Sequence, residues 1–144
     1  MTDWRSFITS FDKASVHQPI DDDDLEALQE HAEVPLPSAY EDFLRFSNGL
    51  TLYSDVIWPS HVVIERSEEF VTEDWEDSFM SFKSMFVFGG DANGDYFFFP
   101  KLLNDIEERV YVWRHEDDSR IKVSYSLEEF LQKYLSGDYD AWNL

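Results

Sequence analysis

Glycines and carboxylates follow one another from Gly89 to Asp95, a combination that could bind a phosphate. Gly89-Gly90 after a strand-like run is typical of phosphate-binding loops, in which backbone N–H groups hold the anion. Asp91 and Asp95, however, place negative charge where the phosphate would sit, and a second strand-like run follows where a helix is required. The residues therefore argue against a phosphate site.

The same turn carries oxygen ligands at the spacing of a calcium loop. Asp91, Asn93 and Asp95 match its first three ligand positions, but Tyr96 occupies the position of the required glycine and Leu102 that of the bidentate glutamate. Asn93 with the glycine after it is also the strongest dipeptide signal for a β-hairpin turn. We therefore interpret the segment as a hairpin turn and predict no metal site there.

Histidines, serines and carboxylates offer further candidate chemistry. The four histidines form no paired metal motif, and no nucleophile-elbow sequence supports a Ser-His-Asp triad, although counting residues does not exclude one. His115 beside Glu116–Asp118 could ligate a metal with help from elsewhere, but a strand end followed by a solvated turn is the favoured interpretation. With 31 acidic residues, some carboxylates must pair by chance. We predict no catalytic residue, no metal site and no cofactor.

The charge balance excludes several classes of function. The 144 residues include 31 Asp and Glu against 11 Lys and Arg, which gives a net charge of −20. This charge repels phosphate backbones and anionic membranes, so we expect neither a nucleic-acid partner nor a membrane partner. We recognise no membrane-spanning run, no secretion signal and no cysteine, and therefore expect a cytoplasmic protein.

The pattern of apolar residues predicts a folded domain. Hydrophobic residues make up 43% of the chain and aromatic residues 17%, which is enough to form a core, and the length fits a single domain over residues 1–144. Helical spacing occurs at 4–11, 22–32, 37–48 and 126–135, and strand-like runs at 50–58, 85–88, 96–99, 109–115 and 120–125, with short helical pieces expected in 59–80. This order predicts an α+β fold. Its sheet would be mostly antiparallel, flanked on one face by N-terminal helices and a C-terminal helix.

Local signals place the ends of several elements. The run Asp21–Asp24 suits a helix N-terminus, because carboxylates accept hydrogen bonds from unpaired N–H groups there. Ser126 and Glu129 have the spacing of a capping box. Pro37 is predicted to begin a helix that Asn48-Gly49 ends in the left-handed region, and a tight turn is predicted near Ser54-Asp55.

Acidic residues cluster in three segments. Asp21–Glu33 has seven acids, largely explained by helix capping and a solvated face, and Glu65–Asp77 has seven acids with one arginine. Glu116–Asp118 is a compact triplet. Trp75 lies among four carboxylates, and two interpretations are open: a solvated loop with Trp75 in the core, or a recognition patch in which Trp75 anchors a basic partner. The predicted partner-binding residues are Glu73, Asp74, Trp75, Glu76, Asp77, Asp91, Asp95, Trp113, Glu116, Asp117 and Asp118.

Four motifs follow one another along the chain: Leu36-Pro37, Tyr40, Phe43-Leu44 and Asn48-Gly49; Phe88-Gly89, Asp91 and Asn93–Tyr96; Val110-Tyr111, Trp113 and His115-Glu116; and Ser126–Leu131. In this order they resemble the SUKH superfamily, a domain of many bacterial immunity proteins and of fungal cell-wall regulators. The resemblance runs from about Leu25 to Leu135. Gln29 departs from it, because members often carry Glu there, and the acidic segment around Trp75 matches no pattern known for the family.

The resemblance implies an α+β domain that binds proteins and has no catalytic activity of its own. Bacterial members commonly neutralise a toxin domain, and many such toxins are nucleases with basic clefts. Our hypothesis is therefore an immunity protein that binds and blocks a basic toxin domain, since clustered carboxylates would steer such a partner. The alternative is a regulatory scaffold, as in the fungal relatives. We expect a monomer or a weak homodimer.

Overall fold

The computed structural model describes residues 2–137, which form helices and strands in an α+β arrangement. The predicted fold class is confirmed. In chain order the elements are α1 (Trp4–Thr9), β1 (Ser15–Val16), α2 (Asp22–Ala32), α3 (Ser38–Phe46), β2 (Leu50–Leu52), β3 (Ser54–Ile57), α4 (Ser60–Glu69), α5 (Glu73–Ser78), β4 (Met85–Gly90), β5 (Tyr96–Pro100), β6 (Val110–Arg114), β7 (Ser119–Ser124) and α6 (Leu127–Leu135).

The strands form two antiparallel sheets. The smaller has the order β1-β2-β3, and the larger is a meander with the order β4-β5-β6-β7. In the meander, Tyr96 pairs with Trp113, and Trp113 pairs in turn with Arg120. Because neighbouring strands run in opposite directions, the β4–β5 and β6–β7 turns lie at the same end of this sheet.

The two sheets meet where the end of β3 approaches β4. The backbone N–H of Trp58 donates to the carbonyl of Phe88 at 2.8 Å. A Cβ atom on Gly89 would lie 1.7 Å from the carbonyl oxygen of Val56, so only glycine permits this close approach. Gly89 is therefore required by the packing of two strands.

Helices pack on both faces of the larger sheet. Phe97 of β5 contacts Phe130 and Tyr134 of α6, with ring centroids 4.7 and 5.5 Å apart. The adjacent Tyr96 points to the opposite face, where it contacts Trp75 of α5 at 6.4 Å. The two helices in residues 59–80 confirm the short helical pieces expected there. The element order predicts helices on one face alone, and α5 differs from that prediction because it packs on the opposite face.

The core is built largely from aromatic rings. Tyr40 on α3 is completely buried and contacts Phe86, Phe88 and Phe99 at centroid distances of 5.5 to 5.9 Å. Burial of this phenol raises its pKa, and its hydroxyl makes no hydrogen bond within the described residues. Tyr40 thus holds α3 against the larger sheet, and the buried Phe43 of the same helix contacts Trp4 of α1 at 5.1 Å.

The predicted helix ends are partly confirmed. Asp21 accepts a hydrogen bond from the Asp24 N–H at 2.7 Å, and Ser126 accepts one from the Glu129 N–H at 3.1 Å. Glu129 itself accepts from the Tyr125 N–H, one residue earlier than a capping box requires.

Other boundaries differ from prediction. The helix predicted to begin at Pro37 begins one residue later, with Pro37 as its N-cap. It ends through Ser47 in extended conformation, before Gly49 takes its positive φ of 119°. The turn predicted near Ser54-Asp55 lies at Tyr53, so both of these residues belong to β3.

Candidate functional site

Three turns and one helix meet around a single depression of about 690 Å³. Tyr53 comes from the β2–β3 turn, Asp91 and Asp95 from the β4–β5 turn, and Glu116 and Asp117 from the β6–β7 turn. We call these five residues the hairpin-end surface. The wall is completed by Ser54, Ala92, Asn93, Val112, Arg114, His115 and Tyr134.

Asp91 is held by the backbone of its own turn. Its Oδ1 accepts hydrogen bonds from the N–H groups of Asn93 and Asp95, at 2.9 and 3.1 Å. Burial raises the pKa of the Asp91 carboxyl, and the two N–H groups oppose that effect by favouring the charged form. The carboxylate that resembles the first calcium ligand therefore stabilises the hairpin turn.

Asp95 forms the connection between the two neighbouring turns. Its Oδ1 lies 2.7 Å from Nδ1 of His115 and accepts a hydrogen bond from the His115 N–H at 3.1 Å. The hydrogen bond to Asp95 raises the pKa of the His115 imidazole, and the charges of Asp95, Glu116 and Asp91 act in the same direction. Protonation of His115 therefore changes the net charge of the hairpin-end surface.

The acidic triplet of the β6–β7 turn divides into two kinds of residue. Glu116 and Asp117 are exposed and line the depression. Asp118 has φ of 60° and points elsewhere: its carboxylate accepts hydrogen bonds from the Met80 N–H at 2.9 Å and from Nε1 of Trp113 at 2.6 Å. A salt bridge of 3.2 Å joins it to Arg120. Asp118 thus ties the segment after α5 to the larger sheet.

The charge of Asp118 is stabilised by these partners. Burial alone raises the pKa of the carboxyl, but the hydrogen bonds from Met80, Trp113 and Arg120, with the Arg120 charge, outweigh burial and lower it. Trp113 is 1% exposed, so its ring lies in the core. Its indole N–H donates a hydrogen bond to the Asp118 carboxylate.

The acidic residues of α5 surround an inward-facing tryptophan. Glu73, Asp74, Glu76 and Asp77 are all exposed, whereas Trp75 is half-buried. Trp75 packs against five aromatic rings, and its buried Nε1 makes no hydrogen bond within the described residues. The rings are those of Phe70, Phe79, Phe82, Tyr96 and Trp113, at centroid distances of 4.8 to 6.4 Å.

The two acidic regions are joined through the Asp118 contacts. Met80 follows α5 by two residues, and its N–H donates to the β6–β7 turn that also supplies Glu116 and Asp117. Of the predicted site residues, Asp91, Asp95, Glu116 and Asp117 converge on one depression, and the four exposed acids of α5 lie on the adjoining helix. Trp113 and Asp118 are less exposed, and their hydrogen bonds connect the two regions.

Tyr53 is the site residue that sequence reasoning missed. It is 77% exposed and has φ of 64°, an uncommon conformation for an aromatic residue. Lys13 Nζ lies 5.9 Å from the centre of the ring, so the face already accepts a cation from within the chain. The signal in the sequence that could have found it is an aromatic residue, between Leu52 and Ser54, in the short connection between two strands.

The described residues contain no group of three His, Asp or Glu side chains placed to hold a metal ion. Among residues 2–137, no helix combines the length and apolarity needed to cross a membrane. The oriented carboxylates and the exposed ring of the site can attract and hold a cationic group.

Fold and site together define a small α+β domain with an acidic depression at the hairpin ends. The chain matches the SMI1 / KNR4 family (SUKH-1) over residues 19–133 and belongs to that family. The match confirms the resemblance and spans both acidic regions. Family membership fits an immunity-like or regulatory domain, and the family is generally non-catalytic. No curated protein matches the chain significantly.

Proposed function

We propose that this chain is an immunity protein that binds and neutralises a basic toxin domain, such as a nuclease, through the hairpin-end surface. One observation carries the proposal: Asp91, Asp95, Glu116 and Asp117 converge with the exposed Tyr53 on one depression of about 690 Å³. Family membership and the net charge of −20 support it.

The depression suits a lysine or arginine side chain of the partner. Asp91 and Asp95 are held by turn hydrogen bonds, so little side-chain entropy is lost when a cation binds between them. Charge-assisted hydrogen bonds to carboxylates are among the stronger ones in proteins, and the ring of Tyr53 can add a cation–π contact.

We assign α5 a different part in the same interface. Its four exposed carboxylates lie on a short helix and are hydrated, so each contact with a partner contributes little to affinity. Their field nevertheless accelerates the approach of a basic protein. Trp75 would act by holding α5 in place.

Two charge-neutralised variants separate these parts. Asp91→Asn with Glu116→Gln and Asp117→Asn should weaken binding to the toxin domain encoded beside this gene by at least about tenfold, mainly through faster dissociation. Asp74→Asn with Glu76→Gln and Asp77→Asn should slow association and flatten its salt dependence. Stopped-flow association at several salt concentrations measures both effects.

A matched control removes three charges from another surface. The triple variant Asp23→Asn, Glu26→Gln and Glu30→Gln neutralises exposed carboxylates of α2. It removes as many negative charges as each of the two test variants. It should leave dissociation unchanged. A hairpin-end variant that behaves like this control would contradict the proposed site, and failure of co-expression to give a complex or protection would contradict the immunity function. An endogenous partner with no toxin gene nearby would favour the regulatory scaffold.

A further inference from the structure

A second concavity, of about 390 Å³, lies between α2, α4 and β4, and we call it the α2–α4 groove. Its floor consists of apolar side chains that are each at most 8% exposed. A volume of this size with an apolar floor is typical of small-molecule sites. The floor residues are Ala32, Val63, Phe70, Phe82, Met85, Phe86 and Val87.

Two lysines lie at the mouth of this groove. Lys83 and Lys101 both line it, and within residues 2–137 neither takes part in a salt bridge. The Lys101 N–H donates to the carbonyl of Ser84, the residue after Lys83, at 2.8 Å, so the backbones of both lysines lie on the sheet side of the groove.

The helix side of the mouth limits the charge of an occupant. Glu33, after α2, and Glu68, on α4, also line the groove, so the four charged side chains sum to zero. A ligand with two or more negative charges would meet these carboxylates at close range. The arrangement therefore favours a single negative charge beside the lysines.

His31 and Ser67, at the rim of the groove, do not make an activated serine nucleophile. Nε2 of His31 lies 2.7 Å from Oγ of Ser67, but the Ser67 hydroxyl donates to the carbonyl of Ile64 at 2.8 Å. The imidazole must then act as donor to Ser67 and cannot accept its proton. Burial and the charge of Lys101 lower the pKa of His31. The groove can bind a ligand but has no activated serine.

We propose that the α2–α4 groove binds a small apolar monocarboxylate, with its hydrocarbon part on the floor and its carboxylate beside Lys83 and Lys101. The site is separate from the hairpin-end surface and independent of the immunity function. Phe70 and Phe82 of the floor also contact Trp75, at 4.9 and 5.3 Å, so an occupant would alter the surroundings of that indole.

Calorimetric titration with decanoate, below its micelle-forming concentration, tests the proposal on the full chain. We expect saturable 1:1 binding, a shift of the Met85 methyl resonance and a change in tryptophan fluorescence. Decyltrimethylammonium has a similar tail with the opposite charge and should bind at least about tenfold more weakly. Acetate has the carboxylate without the tail and should not saturate.

Exposed positions supply the variants. Lys83→Met and Lys101→Met should each weaken decanoate binding about three- to tenfold, as expected for losing one charge-assisted contact. Val71→Trp should block the mouth, since Val71 lines the groove and is 54% exposed. Lys122→Met on β7 is the control and should leave binding unchanged, and circular dichroism verifies that each variant is folded.

Three results would overturn the proposal. The first is no saturable binding of decanoate. The second is equal affinity for decyltrimethylammonium, which would indicate a merely apolar groove. The third is unchanged affinity in Lys101→Met and Val71→Trp, which would place the ligand elsewhere on the protein.

Discussion

The α5 segment (Glu73–Ser78) and the hairpin-end surface are both acidic, but they hold their carboxylates in different ways. On α5 the acids point into solvent around a helix that Trp75 attaches to the core. At the hairpin ends, Asp91 and Asp95 accept hydrogen bonds from backbone N–H groups and from His115.

The comparison shows that acid density along a chain does not measure how well a charged surface is organised. α5 has the densest acids around an aromatic ring, yet its ring serves the core and its acids stay hydrated. The hairpin ends are assembled from turns far apart in sequence, and hydrogen bonds from backbone N–H groups orient Asp91 and Asp95 within them. The expected consequence is that α5 affects association rates, whereas the hairpin ends affect lifetimes.

The largest expected effect comes from a substitution that forces the β2–β3 hairpin away from the β4–β5 hairpin. Gly89→Ala would place a methyl group 1.7 Å from the Val56 carbonyl, so β3 must move away from β4. We expect a loss of about 3 kcal/mol or more in the free energy of unfolding by urea titration. Gly90→Ala is the comparison, because its Cβ would lie 3.0 Å from the Asp95 carbonyl, a tight contact that a small shift relieves, so we expect a clearly smaller loss. Equal losses in both variants would contradict the strand contact inferred at Gly89.

The next effect tests whether Trp75 is a core residue or an exposed anchor. Trp75→Ala removes a ring packed against five others, so we expect a loss of about 3 kcal/mol in urea unfolding. The triple charge variant at Asp74, Glu76 and Asp77 should change stability by less than about 0.5 kcal/mol. If the Trp75→Ala variant is as stable as the wild type, the result contradicts a core role for Trp75 and supports an exposed anchor.

A smaller effect distinguishes the hydrogen bonds of Asp91 from its charge. Asp91→Ala removes the acceptor of two turn N–H groups and should cost about 1–2 kcal/mol. Asp91→Asn keeps an acceptor oxygen but removes the negative charge. Because burial raises the pKa of the Asp91 carboxyl, that charge is disfavoured in the folded protein, so the Asn variant should be as stable as the wild type or more stable at neutral pH. Thermal unfolding of the two variants measures the difference, and similar losses in both would show that the charge itself stabilises the turn.

The smallest effect is a pH dependence confined to the hairpin ends. The hydrogen bond to Asp95 raises the folded-state pKa of His115 above 6.5, so the pair contributes its full stability below that pH. The contribution is lost as the pH rises through the folded-state pKa. The stability difference between wild type and His115→Gln should therefore shrink from about pH 5.5 to pH 8. A difference that grows with pH would contradict the Asp95 pairing.

Much of the fold could be predicted because its signals are local. The caps at Asp21 and Ser126 depend on residues three positions apart, and the amphipathic stripe of α6 repeats at helical spacing. The β4–β5 hairpin was predicted from its turn residues, and the family was recognised from motifs in order.

The errors lie where local signals compete with packing. The turn predicted near Ser54-Asp55 lies at Tyr53, because the pairing of β2 with β3 places these residues opposite Leu52 and Thr51. The two interpretations of Trp75, as a core residue of a solvated loop or as the anchor of a recognition patch, also could not be separated, since the acids around it suit both. The contacts with Tyr96 and Trp113 come from strands further along the chain.

The sequence by itself determined an acidic α+β domain of the SUKH type, with its main helix caps and its central hairpin. Those features depend on composition and on residues within a few positions of each other. Only the tertiary structure decided which acids act together. Sheet pairing brings Tyr53, Asp91 and Glu116 to one end of the molecule, and it turns Asp118 inward to Arg120. These placements depend on strand register and long-range packing, which no short stretch of residues encodes.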